Sequence, residues 1–262
     1  MHLPFYMDAL FGAVLGAVFG SFISATVWAW LRNRKNSLKR SICDKCGQQL
    51  PALALIPVFG FILLKGKCHI CGRKIPLFHF VMEIIPACLG WLIGNLYGIG
   101  LLSLCYIILA SGLTAASAVD FLCRRLPDFI TLGSLALLPP VLAARPELSP
   151  AAALAGYLIG GGLPLGLFLA FKYLRHKQAI GLGDVKLFAL AGAFLDPFAL
   201  PLLFLLSAGC GIVILVGIAA FTRKPLWSYR LPFGPCICAS FLLLLLFPAI
   251  IPAFYAFIPA LC

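Results

Sequence analysis

Four of the eight acidic residues in this 262-residue chain, Glu83, Asp120, Asp128 and Asp184, stand at or beside the ends of strongly apolar runs. Carboxylates brought close together repel, so one keeps a proton that the other gives up. The ionised member can then draw a proton from water while the protonated member polarises a carbonyl, which hydrolyses a peptide bond without a covalent intermediate. Asp120 and Asp128 share the stretch VDFLCRRLPD, and Asp184 lies in GLGDVKL, behind Gly181 and Gly183 and ahead of Lys186. The glycines would let the backbone open so that a substrate can approach as an extended strand. The same residues also have plainer uses. An aspartate at a helix start can be an N-cap that favours the positive helix end. Arg124 and Arg125 can pair with Asp120 or Asp128, and a row of carboxylates can serve a proton or ion pathway. On chemistry alone these readings stay open.

A second constellation is made of sulfur. Cys43 and Cys46 form one Cys-x-x-Cys pair, Cys68 and Cys71 another, with 21 residues between them and Gly47 or Gly72 after each. Two such knuckles present four soft thiolates, the donor set of a structural tetrahedral zinc site. His69 sits inside the second knuckle as an alternative ligand. The set leaves no open coordination position and no His-Glu-x-x-His is present, which argues against a zinc protease. Cys88, Cys105, Cys123, Cys210, Cys236, Cys238 and Cys262 are scattered through apolar runs, where a thiol packs as a small hydrophobe; Cys123 stands out only as a neighbour of Asp120.

The elements that carry these residues belong to a membrane. The chain is 63% hydrophobic and 11% charged, with a mean hydropathy of +1.07. Apolar runs near the ~20 residues that cross a bilayer recur along it, and helices satisfy their own backbone there. The reading is an all-α polytopic protein of about eight transmembrane helices, at 7–31, 78–96, 101–119, 128–144, 151–172, 185–198, 200–221 and 234–258. The first run, long and not preceded by basic residues, reads as a span rather than a removable signal. With the N-terminus outside, 19 of the 20 Lys and Arg fall in or flank the inside segments 32–77, 120–127, 173–184 and 222–233, leaving Arg145 outside. That asymmetry is what positive-inside topology demands. The net charge of +12 therefore reports orientation toward anionic lipid rather than nucleic-acid binding. It also puts the four carboxylates at the inner face and the cysteine loop on the reducing side, where disulfides are the poorer reading. Asp44 falls in that loop; Asp8, Glu147 and Asp196 fall outside. Ionisable groups at membrane depth are functional candidates by default. These sit at span ends rather than deep within, which counts against a transporter.

In order along the chain come GSF at Gly20–Phe22, the paired knuckles, LIPV at Leu55–Val58, KGKC ahead of the second knuckle, Glu83, VDFLCRRLPD, GLGDVKL, and PFGP at Pro232–Pro235. This ordered set resembles the type IV prepilin peptidases, membrane aspartyl proteases with a Gly-x-Gly-Asp signature. The resemblance covers nearly the whole chain. It implies that Asp120 and Asp184 are the catalytic pair, with Asp128 supportive and a fallback partner. It implies cleavage of the basic leader of prepilins or secretion pseudopilins after a glycine, at the cytoplasmic face of a bacterial inner membrane. It further implies N-methylation of the new terminus from S-adenosylmethionine by the N-terminal part, with Glu83 a candidate there. The implied division is a first span (1–31), a cytoplasmic four-cysteine zinc domain (32–77) and a protease core (78–262).

Departures from the family pattern fall in the methylating half. Ser24 stands where asparagine is usual, Ala29 near a usual arginine, Leu55 where an aspartate usually precedes IPV, and Phe78-His79-Phe80 where arginine-tyrosine-proline is usual. The protease motifs are intact, so cleavage is the firmer expectation, and an inactive scaffold is the rival that only an assay removes. No glycine-rich strand-turn-helix loop is present to bind the methyl donor.

Overall fold

The computed structural model describes residues 3–32, 43, 46–49, 51–175, 181–222 and 231–257. Asp44, Cys262 and the basic residues in 33–42, 176–180 and 223–230 lie outside the described residues. Apart from an isolated bridge between Lys67 and Lys74, regular structure among the described residues is helical. Contacts divide the chain into two compact units, Met1–Ala115 and Ala116–Cys262.

The first unit is built on α1 (Leu3–Leu31) and α3 (Leu77–Tyr97). Between them in sequence lie a 3-10 turn (Ala52–Leu55) and the short α2 (Phe59–Leu63). Helix α4 (Leu101–Cys123) begins in this unit. Glycine every fourth residue gives α1 and α3 a smooth seam. A Cβ on Gly12 would strike the Gly90 carbonyl, one on Gly16 the Pro86 carbonyl, one on Gly20 the Met82 carbonyl, and one on Gly94 the Asp8 carbonyl. The partners descend one helix as they climb the other, so the pair is antiparallel. Small residues that bring backbones together are how helices associate in lipid, where apolar burial offers little drive.

In the second unit α5 (Asp128–Leu135), α6 (Leu138–Ala144) and α7 (Pro150–Arg175) lead to α8 (Leu182–Phe194). A 3-10 turn (Pro197–Ala199) opens α9 (Leu200–Thr222), and α10 (Gly234–Leu246) and α11 (Ile250–Phe257) follow. Helix α8 is buried from Leu187 to Phe194 and packs against α5, α7 and α10. It shares with α7 a second antiparallel glycine seam, Gly156 against Gly192 and Gly160 against Phe188. Past Lys186 it is apolar all round and behaves as a core helix of the bundle.

Among the described residues, five helices are long and apolar enough to cross a membrane: Tyr6–Leu31, Leu77–Tyr97, Leu101–Cys123, Pro150–Leu174 and Pro197–Ala220. Helices α10 and α11 make a sixth if counted together, although they meet at 97°. The expected spans at 128–144 and 185–198 are shorter pieces. Leu138-Pro139-Pro140 breaks the first into α5 and α6, because proline lacks the amide that would continue α5. The second is the 13-residue α8. Side chains such as Leu174, Phe198 and Val213 stay mostly exposed, as lipid-facing residues do.

Candidate functional site

Helix α4 stops where Arg124 turns left-handed at φ 51°, and Pro127 then holds Leu126 out of helical space. Asp120 is thereby left on the last turn of α4 and Asp128 on the first of α5. The Asp120 carboxylate faces the start of α10, where the Gly234 amide donates to its Oδ2 at 2.9 Å. That amide is one of the donors a helix N-terminus leaves unpaired, so the hydrogen bond and the helix dipole both favour an anion there. Gly234 fits because it has no side chain: a Cβ would lie 2.6 Å from the same oxygen. The PFGP motif thus acquires a role that nothing local to it suggests, since its partner lies 114 residues away.

Asp184 sits in the first turn of α8, half-buried, where the Gly181 amide donates to its Oδ2 at 3.4 Å. The N-cap position itself belongs to Gly181, and Asp184 reaches back from the third helical residue. Neither glycine adopts a left-handed conformation. Gly183 instead lies against Leu126, with 3.2 Å left for a Cβ. Asp120 and Asp184 are within electrostatic reach of each other, and Arg124 is within reach of Asp120. Asp128 is engaged elsewhere, ion-paired with Lys186 two residues past Asp184. Two thiols that the sequence reading treated only as packing also bear on the pair: buried Cys238 shares a hydrogen bond with Ser117 and lies within electrostatic reach of both carboxylates, and Cys236, hydrogen-bonded to the free thiol of Cys210, lies within reach of Asp120. Cys123, the neighbour singled out in sequence, is exposed.

The four knuckle cysteines come together. Cys43 accepts the Gly47 amide on its carbonyl (2.8 Å) and donates its own amide to the Gln48 carbonyl (2.8 Å); Cys68 repeats this with Gly72 (2.9 Å) and Arg73 (2.8 Å). Both turns require left-handed glycines, at φ 71° for Gly47 and 66° for Gly72. The sulfurs all lie within 4.8 Å of one another, and Cys43 and Cys71 stand 3.8 Å apart. A tetrahedral ion with sulfur bonds of about 2.3 Å has sulfur–sulfur edges of about 3.8 Å, so these thiols can hold a metal ion. His69 is exposed and outside this group. At Cys46 a bond with the Gln48 backbone favours the thiolate, yet desolvation and the crowd of Cys43, Cys71 and Cys68 push the thiol up to about 11. Four thiols this close need a cation to give up their protons.

Glu83 on α3 joins two of the motifs noted in sequence. Its Oε1 accepts from Ser21 Oγ (2.7 Å), in GSF, and its Oε2 from the Val58 amide (2.7 Å), in LIPV. Val58 has φ 64°, strained for a β-branched residue and held by that bond. One turn before Glu83, His79 Nδ1 lies 3.2 Å from Ser24 Oγ, and Ser24 donates to the Ser21 carbonyl at 2.8 Å. Trp28 packs on both Phe78 and His79, with the Arg32 guanidinium 5.0 Å from its ring centroid. Of the departures from the family pattern, Ser24, Phe78 and His79 therefore meet in one cluster.

Residues 14–96 match the model of the bacterial peptidase A24 N-terminal domain, and residues 107–216 that of the type IV leader peptidase family. The chain is 33% identical to a prepilin leader peptidase/N-methyltransferase of Burkholderia pseudomallei, over 91% of this chain and 85% of that one. It is 31% identical to one from Bacillus subtilis, over 92% and 95%. It is 30% identical to the type 4 prepilin-like proteins leader peptide-processing enzyme of Escherichia coli O78:H11, over 85% and 87%. No solved structure matches.

Proposed function

The chain belongs to the type IV leader peptidase family, and from that premise we propose that it removes the leader of prepilins or pseudopilins with Asp120 and Asp184 and then N-methylates the new terminus. The observation that carries the first step is that two half-buried carboxylates at helix ends lie within electrostatic reach of each other, one of them held by the Gly234 amide. Held as an acceptor, Asp120 is the member that takes a proton from water. Asp184 is the member that donates to the carbonyl oxygen of the scissile bond and later returns a proton to the leaving amine. Asp128 and Lys186, neutralising each other beside α8, support the position of Asp184 without entering the chemistry.

We place both carboxylates at the cytoplasmic face of the inner membrane, because the basic residues gather at the same loops. A basic leader would lie among those loops while the apolar start of the mature chain enters lipid, which brings the junction between them to the pair. The knuckles suit zinc, whose part is structural, since four thiolates fill its tetrahedron.

S-adenosylmethionine supplies the methyl group, carried on its sulfonium. The first unit fits a methylating role through its polar cluster, in which Glu83 fixes the Val58 loop to α1. Both Glu83 oxygens accept a hydrogen bond, from Ser21 and from Val58, so this residue positions the loop against α1.

The test is cleavage of a prepilin-like substrate by purified wild type, Asp120→Asn and Asp184→Asn, with the product weighed by mass spectrometry. Loss of cutting in both folded variants supports the pair. Continued cutting by Asp120→Asn alongside loss in Asp128→Asn would reassign the partner of Asp184.

A further inference from the structure

The stretch between the two cysteine knuckles carries an apolar surface that the protein leaves uncovered. Leu53, Leu55, Ile56, Phe59, Ile62 and Leu63 are all exposed, Phe59 and Leu63 at 66% each. They are nevertheless held in place. Gly60 packs on Ala54 so closely that a Cβ would lie 2.4 Å from the Ala54 carbonyl oxygen, which joins the 3-10 turn to α2. Phe61 instead faces α3 and stacks on Phe80, with ring centroids 4.6 Å apart. The Val58 amide donates to Glu83 Oε2 at 2.7 Å, again on α3. A fixed, contiguous apolar face on a connection between spans marks an interaction site. We propose that residues 53–63 dock into the leaflet that α3 enters, with Lys65, Lys67 and Lys74 on its anionic headgroups. This docking does not depend on either reaction proposed above.

Depth selects lipid as the partner. Helix α3 has 21 residues, about 31 Å at 1.5 Å each, so it needs its whole length to cross ~30 Å of hydrocarbon. Its start is flanked by Trp28, 5.3 Å from Phe78 between ring centroids, and by Arg32 over the Trp28 ring. Tryptophan and arginine are residues that gather at a membrane interface. Phe80 and Glu83 stand three and six residues beyond Leu77, about 4.5 and 9 Å along the axis. The segment is bound at those two residues, which sets it at the ~5–10 Å depth of interfacial elements. Its backbone suits that depth. The amides of Val58, Gly60, Ile62, Leu64 and Gly66 all donate within the protein, to Glu83 and to the carbonyls of Ile56, Val58, Gly60 and Phe61, as surroundings poor in water require. Residues 51–77 hold no Asp or Glu, while Lys65, Lys67, Arg73 and Lys74 are all exposed. A basic rim beside an apolar face complements anionic lipid, and it repels a basic leader. The Ile75 amide donates to the Gly66 carbonyl at 2.8 Å, which ties the second knuckle to this platform and holds it at the membrane surface.

The test puts a fluorescent amino acid in place of Phe59, or separately of Leu63, in the full-length protein, reconstituted as single copies in lipid nanodiscs. Ile70, exposed in the second knuckle, is the aqueous reference site. One quencher is a lipid with a nitroxide high on its acyl chain; the other is acrylamide in the water. Melting against wild type shows which labelled proteins are folded, and site 63 carries the test if site 59 is not tolerated. The labels at 59 and 63 should lose most of their emission to the nitroxide and little to acrylamide, the reverse of site 70. Sites as open to acrylamide as site 70 overturn the proposal. Shielding from both quenchers means that protein covers the face, which overturns it too. Nitroxide quenching that vanishes when a prepilin-like substrate is added reassigns the face to substrate. Discs containing phosphatidylglycerol should give more nitroxide quenching than discs of phosphatidylcholine alone, and Lys65→Gln, Lys67→Gln and Lys74→Gln together should remove that increase. An increase that survives the substitutions, or none in the wild type, overturns the headgroup contact.

Discussion

Replacing Gly234 by alanine should slow cleavage with both aspartates still in the chain. The added Cβ would stand 2.6 Å from Asp120 Oδ2, 2.9 Å from its Cγ and 3.0 Å from its Cβ. Ordinary contact begins at 3.4 Å, so the carboxylate must retreat by about 0.8 Å (3.4 − 2.6) or α10 must move. Retreat lengthens the 2.9 Å bond from the Gly234 amide. Hydrogen bonds to charged groups are worth about 1.5–3 kcal/mol, which is roughly 10- to 150-fold in rate if the bond matters fully in the transition state. A displacement near 1 Å can by itself cost about 10²-fold. The two effects describe one movement and are not multiplied, so kcat for leader removal should fall roughly 10²-fold with little change in KM. The assay is cleavage of a prepilin-like substrate in detergent, with methylation of a pre-cleaved peptide as an internal control for the first unit. A Gly234→Ala protein that cleaves at the wild-type rate would refute the claim that this amide holds Asp120.

Other outcomes follow from the same structure. Asp184→Asn should lower cleavage by about 10²–10⁴-fold, whereas Asp128→Asn, which breaks only an exposed ion pair with Lys186, should cost less than about tenfold; initial rates on one substrate compare them. Zinc uptake by the metal-stripped protein should release protons and weaken as pH falls, because the Cys46 thiol at about 11 is protonated at neutral pH and must ionise to bind. Titration in weak and strong buffer reads this, and Cys68→Ser should reduce the zinc bound. Glu83→Leu removes both acceptors, leaving the Val58 amide and the Ser21 hydroxyl without this partner at a cost of about 1–3 kcal/mol each. The 57–65 segment should become more sensitive to limited proteolysis while cleavage of substrate persists. Gly90→Leu should lower Tm more than any of these, since its Cβ would overlap the Gly12 carbonyl in the α1–α3 seam.

The carboxylates and thiols were visible in sequence because their chemistry depends on residue type and short spacing. Two Cys-x-x-Cys pairs announce a common site, and an aspartate at the head of an apolar run is conspicuous anywhere. The partners that hold them were not visible, because they arrive across the fold. Gly234 reaches Asp120 through the packing of α10 near the end of α4, and no local pattern encodes that. Ser24 and His79 looked like separate losses from the family pattern until α1 and α3 set them side by side. Two of the eight expected spans correspond to shorter helices for a related reason. Hydropathy follows an apolar run without showing where the helix within it stops, so the run that holds the 13-residue α8 read as a full span. The same blindness hid the break at Leu138-Pro139-Pro140, where composition stays apolar while the backbone restarts.

Helix α8 carries Asp184, is buried from Leu187 to Phe194, and meets α7 backbone to backbone. Bilayers differ in thickness, and spanning helices answer by tilting or bending. An element enclosed by protein feels such strain only through its neighbours, and the glycine seam leaves no compressible side chains in between to alter the spacing. The carboxylate should therefore keep its setting as the lipid composition changes, so that one enzyme can work in membranes remodelled by growth temperature.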